Sequence, residues 1–247
     1  MLRKPSKLTV LSVLSIGIFS PAVIIITTLF IGNKSYYAAA VTVIICAIIP
    51  FFAFFEKRRV KTGEIIILSI MTALAVAARS LFMFIPQVKP TCAIVIVTAV
   101  AFGPNAGFLT GALSMFLSNF IFGQGMFTPF QMLGMGLVGF ICGCIFSGKK
   151  LSENRFAVSI TGGILTFALY GFIVDSCSVL MLSSSLSLSS ALAFYSSGFL
   201  FNLIHGITTA LLLFFICKPM NSKFSRLRIK YGIFSADENT AQIYMTP

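Results

Sequence analysis

One arginine, Arg79, stands inside a long apolar run, ALAVAARSLFMFI. An ionised side chain in hydrocarbon costs about 2.5 kcal/mol or more, so such a residue has a task. The planar guanidinium fork suits an anionic or carbonyl group on a small molecule. Asp175, in FIVDSCS, is a second intramembrane charge. The two could face a ligand, or pair with each other, or Arg79 could snorkel to the interface. Asn119, Gln124 and Gln131 carry donors and acceptors that match the amides and carbonyls of a polar ligand, or they cap helices and tie loops. Lys89 lies in the Pro-rich break IPQVKP beside them in sequence. Phe122, Phe127 and Phe130 could line a pocket, although with 27 phenylalanines most must serve packing or lipid contact. His205 is the single histidine, with Asn202 one turn earlier as a potential partner. These residues can bind and orient. They do not spell a reaction: GxSxG, HExxH and the phosphate-binding GxxxxGK[ST] are all missing.

The elements that must position them are apolar helices. The chain has 247 residues, 57% hydrophobic and 10% charged, and a mean hydropathy of +1.00. Apolar runs long enough to span a bilayer recur along it, which predicts an all-α polytopic membrane protein. Eight spans can be read, at about 8–31, 37–55, 64–85, 88–102, 106–122, 129–146, 156–182 and 191–217. The fourth would reach only about 22 Å, short of a hydrocarbon core of about 30 Å. The start, MLRKPSKLTV, has the charge of a signal peptide. Its apolar run is too long for one and a second span follows, so an uncleaved helix is expected. The six cysteines sit in or at the ends of apolar segments without a CxxC pair, as packing residues do. Cys92 and Cys177 fall at one level, where a bridge could form.

Charge gives these spans a direction. With the N-terminus inside, the inner segments hold Arg3, Lys4, Lys7, Lys57, Arg58, Arg59, Lys61, Lys149, Lys150, Arg155, Lys218, Lys223, Arg226, Arg228 and Lys230. Only Lys34 and Lys89 lie outside. That is the positive-inside pattern, with both termini cytoplasmic. A net charge of +12 therefore marks membrane sidedness rather than a nucleic-acid partner. In this topology Arg79 lies about 22 Å up its helix from Glu64, in the outer half. Asp175, Asn119, Gln124 and Gln131 are also outer, and Asn202 and His205 lie deeper. The polar groups gather where an extracellular cavity would be. The stretch SSSLSLSS is a polar outer loop, and the chain from Lys218 is a basic tail whose end, ADENTAQIYMTP, has a disordered composition.

At AFGPNAGFLTGALSMFLSNFIFG the chain resembles the substrate-binding S component of an energy-coupling factor (ECF) vitamin transporter. A short helix ending in FGPxxG, a Gly-rich helix after it, and an AxxxA helix followed by IPQVKP carry the likeness. It covers about 62–217, which implies a six-helix S-component bundle. Residues 1–61 would add two N-terminal transmembrane helices with a basic loop, and 218–247 a basic cytoplasmic tail. The loop GQGMFTPFQ resembles the cobalamin-type subgroup, and riboflavin, folate or a queuosine-type precursor would suit a wide outer cavity with amides and aromatics too.

The resemblance implies capture of a vitamin-like molecule outside the cell. Delivery would follow docking onto a membrane coupling subunit that joins two ATPase subunits, within the bilayer of the cell membrane. It calls for no catalytic residue, metal or cofactor. Arg79, Lys89, Asn119, Gln124, Phe127, Gln131, Asp175, Asn202 and His205 would be the substrate-binding set. Ala73, Ala75 and Ala77 would be the docking face, since small residues let another helix approach closely, or they are ordinary bundle packing. The rival classes are an intramembrane enzyme built on a serine, His205 and Asp175, and a stand-alone carrier or channel. The first lacks a motif, and the second would carry an internal repeat, which is not seen.

Overall fold

The computed structural model describes residues 62–86, 88–182 and 187–231. The two N-terminal spans and the last part of the tail lie outside the described residues. Seven α-helices follow in order: α1 Thr62–Leu81, α2 Thr91–Phe102, α3 Pro104–Phe122, α4 Thr128–Phe146, α5 Arg155–Leu165, α6 Gly171–Leu182 and α7 Leu188–Tyr231. A 3-10 turn at Lys150–Glu153 precedes α5, and a π-helical turn at Thr166–Tyr170 joins α5 to α6. No strand occurs among the described residues. With α5 and α6 counted as one span, five helices are long and apolar enough to cross a membrane, and α2 is a sixth, shorter one. The protein is thus an all-α polytopic membrane protein, consistent with the helical bundle expected from residue 62 onward.

Each helix occupies the place its sequence allows. In α1 the buried residues Glu64, Leu68, Met71, Thr72, Ala75 and Arg79 recur every three or four positions, one stripe of a helix whose other side meets the surroundings. That stripe carries Arg79 inward at its last turn. α2, TCAIVIVTAVAF, is apolar on all sides and every residue is buried. Twelve residues reach only about 18 Å. A helix this short is tolerated because its neighbours, not lipid, enclose it. Gly103 (φ 104°) then turns the chain in a conformation that disfavours a Cβ, and Pro104 opens α3 where no backbone donor is needed.

α3 and α4 form the tightest pair. A Cβ on Gly107 would lie 2.8 Å from the Gly139 carbonyl oxygen, and one on Gly139 only 2.5 Å from that of Gly107. The two backbones touch, which sets α3 and α4 side by side.

Three expectations change. The seventh span is not one regular helix, because the π-helical turn interrupts it at Thr166–Tyr170. The eighth does not end at Cys217: α7 runs 44 residues, through Pro219, to Tyr231. The reason is amphipathic packing. Phe224 is buried with its ring 4.9 Å from that of Phe102, and Met220 and Leu227 pack on the same core, while Lys218, Lys223 and Arg226 are exposed. Finally, Cys92 and Cys177 are free thiols. Cys92 Sγ lies 2.9 Å from Thr166 Oγ1, and Cys177 packs toward Met181, so they are not bridged.

The glycine contact makes a prediction. Gly139→Leu should lower stability by roughly 1–3 kcal/mol through overpacking, while Ala77→Leu on the exposed face of α1 should leave it nearly unchanged. Thermal unfolding of the purified variants measures both. Equal melting temperatures would contradict the backbone contact.

Candidate functional site

Arg79 is 5% exposed, and α3 supplies what holds it. Its Nη1 donates to Ser118 Oγ, and to Asn119 Oδ1 at 2.8 Å. The Phe122 ring lies under the guanidinium, 4.5 Å from its carbon to the centroid. Ser118, Asn119 and Phe122 are the last turn of α3, one patch because residues three and four apart share a face. Two of the five guanidinium donors are thereby used; those on Nη2 and Nε have no hydrogen-bond partner among the described residues. Among the described residues no carboxylate pairs with Arg79. The alternative of an Arg79–Asp175 pair is not what forms.

Asn119 is the hub. Fully buried, it accepts from Arg79 while its Nδ2 donates to Thr128 Oγ1 (3.0 Å) and Gln131 Oε1 (2.9 Å), both in the first turn of α4. Thr128 Oγ1 also receives the Gly125 amide at 3.2 Å and donates to Gln124 Oε1 at 3.0 Å. Gln124 Nε2 donates to the Phe116 carbonyl at 2.9 Å. Gln124 is exposed, and both ends of its amide are engaged in fastening the GQGMF loop to α3 and α4. Loop hydrogen bonding, rather than an amide offered to a ligand, is its role in this structure. Phe127 is half-buried and packs with Phe108 and Phe130 in an apolar cluster, a packing position. The half-buried Gln131 differs: its Oε1 is used, and its Nε2 has no hydrogen-bond partner among the described residues.

Lys89, in the connection between α1 and α2, is half-buried. Burial holds its ammonium below the usual lysine range, and the charge of Arg79 pushes the same way. Lys89 and Arg79 are both within electrostatic range of His205 on α7. His205 is 5% exposed, meets the Tyr170 ring edge-on at 5.4 Å, and its Nε2 has no partner among the described residues. Tyr170 comes from the π-helical turn, and its hydroxyl reaches Met115 Sδ of α3 at 3.9 Å. The structure thus brings Arg79, Lys89, Asn119, Gln131 and His205 to one region between α1, α3, α4, the π turn and α7.

Asp175 and Asn202 form a second pair. Asn202 Nδ2 donates to Asp175 Oδ2 at 2.7 Å, so Asn202 is not the partner of His205. Neither could sit there beside larger residues: a Cβ on Gly198 would meet the Asp175 carboxylate at 2.6 Å, and one on Gly171 would meet the Asn202 amide at 2.6 Å. On α1, Ala73 and Ala77 are exposed one turn apart. Ala75 is fully buried, and its carbonyl accepts from Thr91 Oγ1 at 3.1 Å. It points into the bundle and cannot belong to a docking face.

Thr128 and Tyr170 are site residues that sequence reasoning missed. Thr128 sits in the visible helix start TPF, where a hydroxyl beside two glutamines was a signal. Tyr170 is a lone phenol in a 28-residue apolar span.

The described residues form a helical membrane bundle that holds a polar, cation-bearing region between its helix ends. The family model described as "ECF-type riboflavin transporter, S component" matches residues 59–222. The chain belongs to that family: it is a substrate-binding subunit of an ECF-type vitamin importer, not an enzyme. The match supports the expected S-component class and gives the cobalamin subgroup no support. Neither the curated proteins nor the solved structures returned a match.

The hub makes its own prediction. Asn119→Ala leaves Arg79, Thr128 and Gln131 each short of a partner in a buried setting. It should cost about 2–3 kcal/mol of stability, against about 1 kcal/mol or less for the exposed Gln124→Ala. If thermal unfolding ranks the two variants the other way, the network is not organised around Asn119.

Proposed function

We propose that this subunit captures riboflavin, or a ring vitamin closely related to it, on the outer side of the cell membrane. The ligand would be held by Arg79, Lys89, Gln131 and His205, and delivered through an ATP-driven ECF coupling module. The observation that carries this reading is the Arg79 guanidinium. It is buried, oriented by Ser118 and Asn119, and keeps donors on Nη2 and Nε for a carbonyl or anionic group. Gln131 Nε2 and His205 Nε2 are further polar atoms without partners among the described residues, and Tyr170 and Phe122 supply aromatic surface for a ring. Asn119 acts by positioning Arg79 and Gln131. Asp175 and Asn202 are already satisfied by each other. Gln124 and Phe127 hold the loop in place.

The family description favours riboflavin over cobalamin, which the GQGMFTPFQ loop had suggested. The positive-inside distribution supports an outward-facing site and cytoplasmic termini. The chain carries no phosphate-binding loop, so two ATPase subunits and a membrane coupling subunit must supply the energy. Ala73 and Ala77, exposed and four residues apart, suit close approach of a coupling-subunit helix.

The purified full-length protein should quench riboflavin fluorescence with one-to-one stoichiometry. Arg79→Gln and Gln131→Ala should each weaken binding by about tenfold or more. Uptake in cells should require the coupling subunit and its ATPases. Absence of riboflavin binding by folded protein would overturn the ligand assignment. Uptake independent of any coupling module would overturn the delivery mechanism.

A further inference from the structure

The seam between α5 and α7 has an apolar outer surface that ends in cations. The two helices approach closely along it: a Cβ on Gly162 would lie 2.4 Å from Leu213 Cδ1, and one on Gly163 2.9 Å from Ala210 Cβ. On α5, Phe156, Ile160 and Ile164 are each more than half exposed, and on α7 so are Ile207, Leu211 and Phe215. Each set is spaced by four, so each forms one stripe along its helix. On a membrane bundle such stripes are what the acyl chains of lipid cover.

Both stripes stop at a cation. Lys218 follows Phe215 by three residues, on the same face of α7, and is exposed. Arg155 is exposed immediately before Phe156, and its place is fixed by rings. Its guanidinium carbon lies 4.4 Å from the centroid of Phe214 and 5.5 Å from that of Phe156, and those two rings meet edge-on at 5.0 Å. Phe214 and Lys218 are one helical turn apart, about 6 Å along the axis. The Phe214 contact therefore sets Arg155 beside the turn of α7 that carries Lys218. The rings take the face of the guanidinium, and its N–H donors have no hydrogen-bond partner among the described residues. Glu153, two residues before Arg155, is exposed and makes no ion pair with either cation among the described residues. A loose arginine at this level would only reach for water. One seated on two rings, with free donors at the end of two lipid-facing stripes, is placed for an anion that arrives with lipid.

We infer that Arg155 and Lys218 bind the headgroup phosphate of an anionic phospholipid whose chains lie along the stripes of α5 and α7. The guanidinium and the ammonium both give the phosphate charge-assisted hydrogen bonds. Every phospholipid offers a phosphate, but two cations favour one with net negative charge over a zwitterion, whose own cationic group they repel. Lys149 and Lys150 lie at this end of the bundle as well, so the lipid belongs to the leaflet on the basic side. Arg155 follows the last turn of α4, whereas Thr128 and Gln131 stand in its first turn. The lipid site and the Arg79 region are thus at opposite ends of the bundle, and neither assignment depends on the other.

The test is native mass spectrometry of the purified full-length protein, equilibrated with equal amounts of phosphatidylglycerol and phosphatidylcholine that carry the same chains. The protein should retain one phosphatidylglycerol, preferred over phosphatidylcholine by at least about fivefold. Arg155→Gln and Lys218→Gln together should bring that preference below about twofold. Lys223→Gln removes an equal charge from an exposed position further along α7 and should leave the preference as it was. Phe214→Leu keeps both cations but removes the ring that seats Arg155, and should weaken the preference by about two- to fourfold. Equal retention of the two lipids by the unmodified protein overturns the inference, whatever the variants do. A preference that survives the double substitution, or falls as far with Lys223→Gln, overturns it too, because the charge then acts diffusely. If the double variant does not fold, Phe214→Leu against Lys223→Gln decides: a loss confined to Phe214→Leu supports the site, and any other ranking overturns it.

Discussion

One positive charge inside an apolar bundle governs the construction of this site. Arg79 can stay ionised in a membrane only if its guanidinium is hydrogen-bonded and enclosed by protein. The last turn of α3 meets that need with Ser118, Asn119 and the Phe122 ring. Asn119 must in turn be satisfied, and the first turn of α4 does this with Thr128 and Gln131. For those turns to face each other, α3 and α4 must run in backbone contact, which Gly107 and Gly139 permit. Each step is a consequence of the one before: charge, then amide, then hydroxyl, then glycine.

That dependence also divides rigid from adaptable parts. The α1, α3 and α4 ends form a closed network of short hydrogen bonds. On the other side, Tyr170 of the π-helical turn meets His205 by ring contact and Met115 by a weak sulfur interaction. Such turns recur at functional positions because one added residue rotates the following side chains without ending the helix. Here the turn directs Thr166 toward Cys92 and Tyr170 toward Met115 and His205. A ligand entering between the two sides would meet fixed donors on one and aromatic surface on the other.

Much of the fold was legible in the sequence, because burial in a bilayer leaves long apolar runs between polar loops. The long apolar helices from residue 62, the short α2 and the FGPNAG turn were all readable. Arg79, Asn119 and Gln131 stood out as polar residues where hydrophobic ones are expected. What could not be read was pairing. Asp175 was a plausible partner for Arg79 by depth alone, and only the packing of α6 on α7 gives it Asn202 instead. Ala75 belonged to the small-residue pattern with Ala73 and Ala77. Two residues along a helix is a rotation of about 200°, and that places it in the core. The α7 extension was hidden because its apolar stripe, Met220, Phe224 and Leu227, is sparse within a basic stretch. The π turn left no local signal, since its residues TFALY read as ordinary helix.

The claim on which the rest depends is that Arg79 faces a ligand rather than serving only to join α1 to α3. A structure determined with riboflavin bound tests it most directly. The account predicts a polar atom of the vitamin within hydrogen-bond distance of Arg79 Nη2 or Nε, with the Ser118 and Asn119 contacts kept. A ligand seated elsewhere, with Arg79 Nη2 and Nε engaged by protein groups alone, would contradict it.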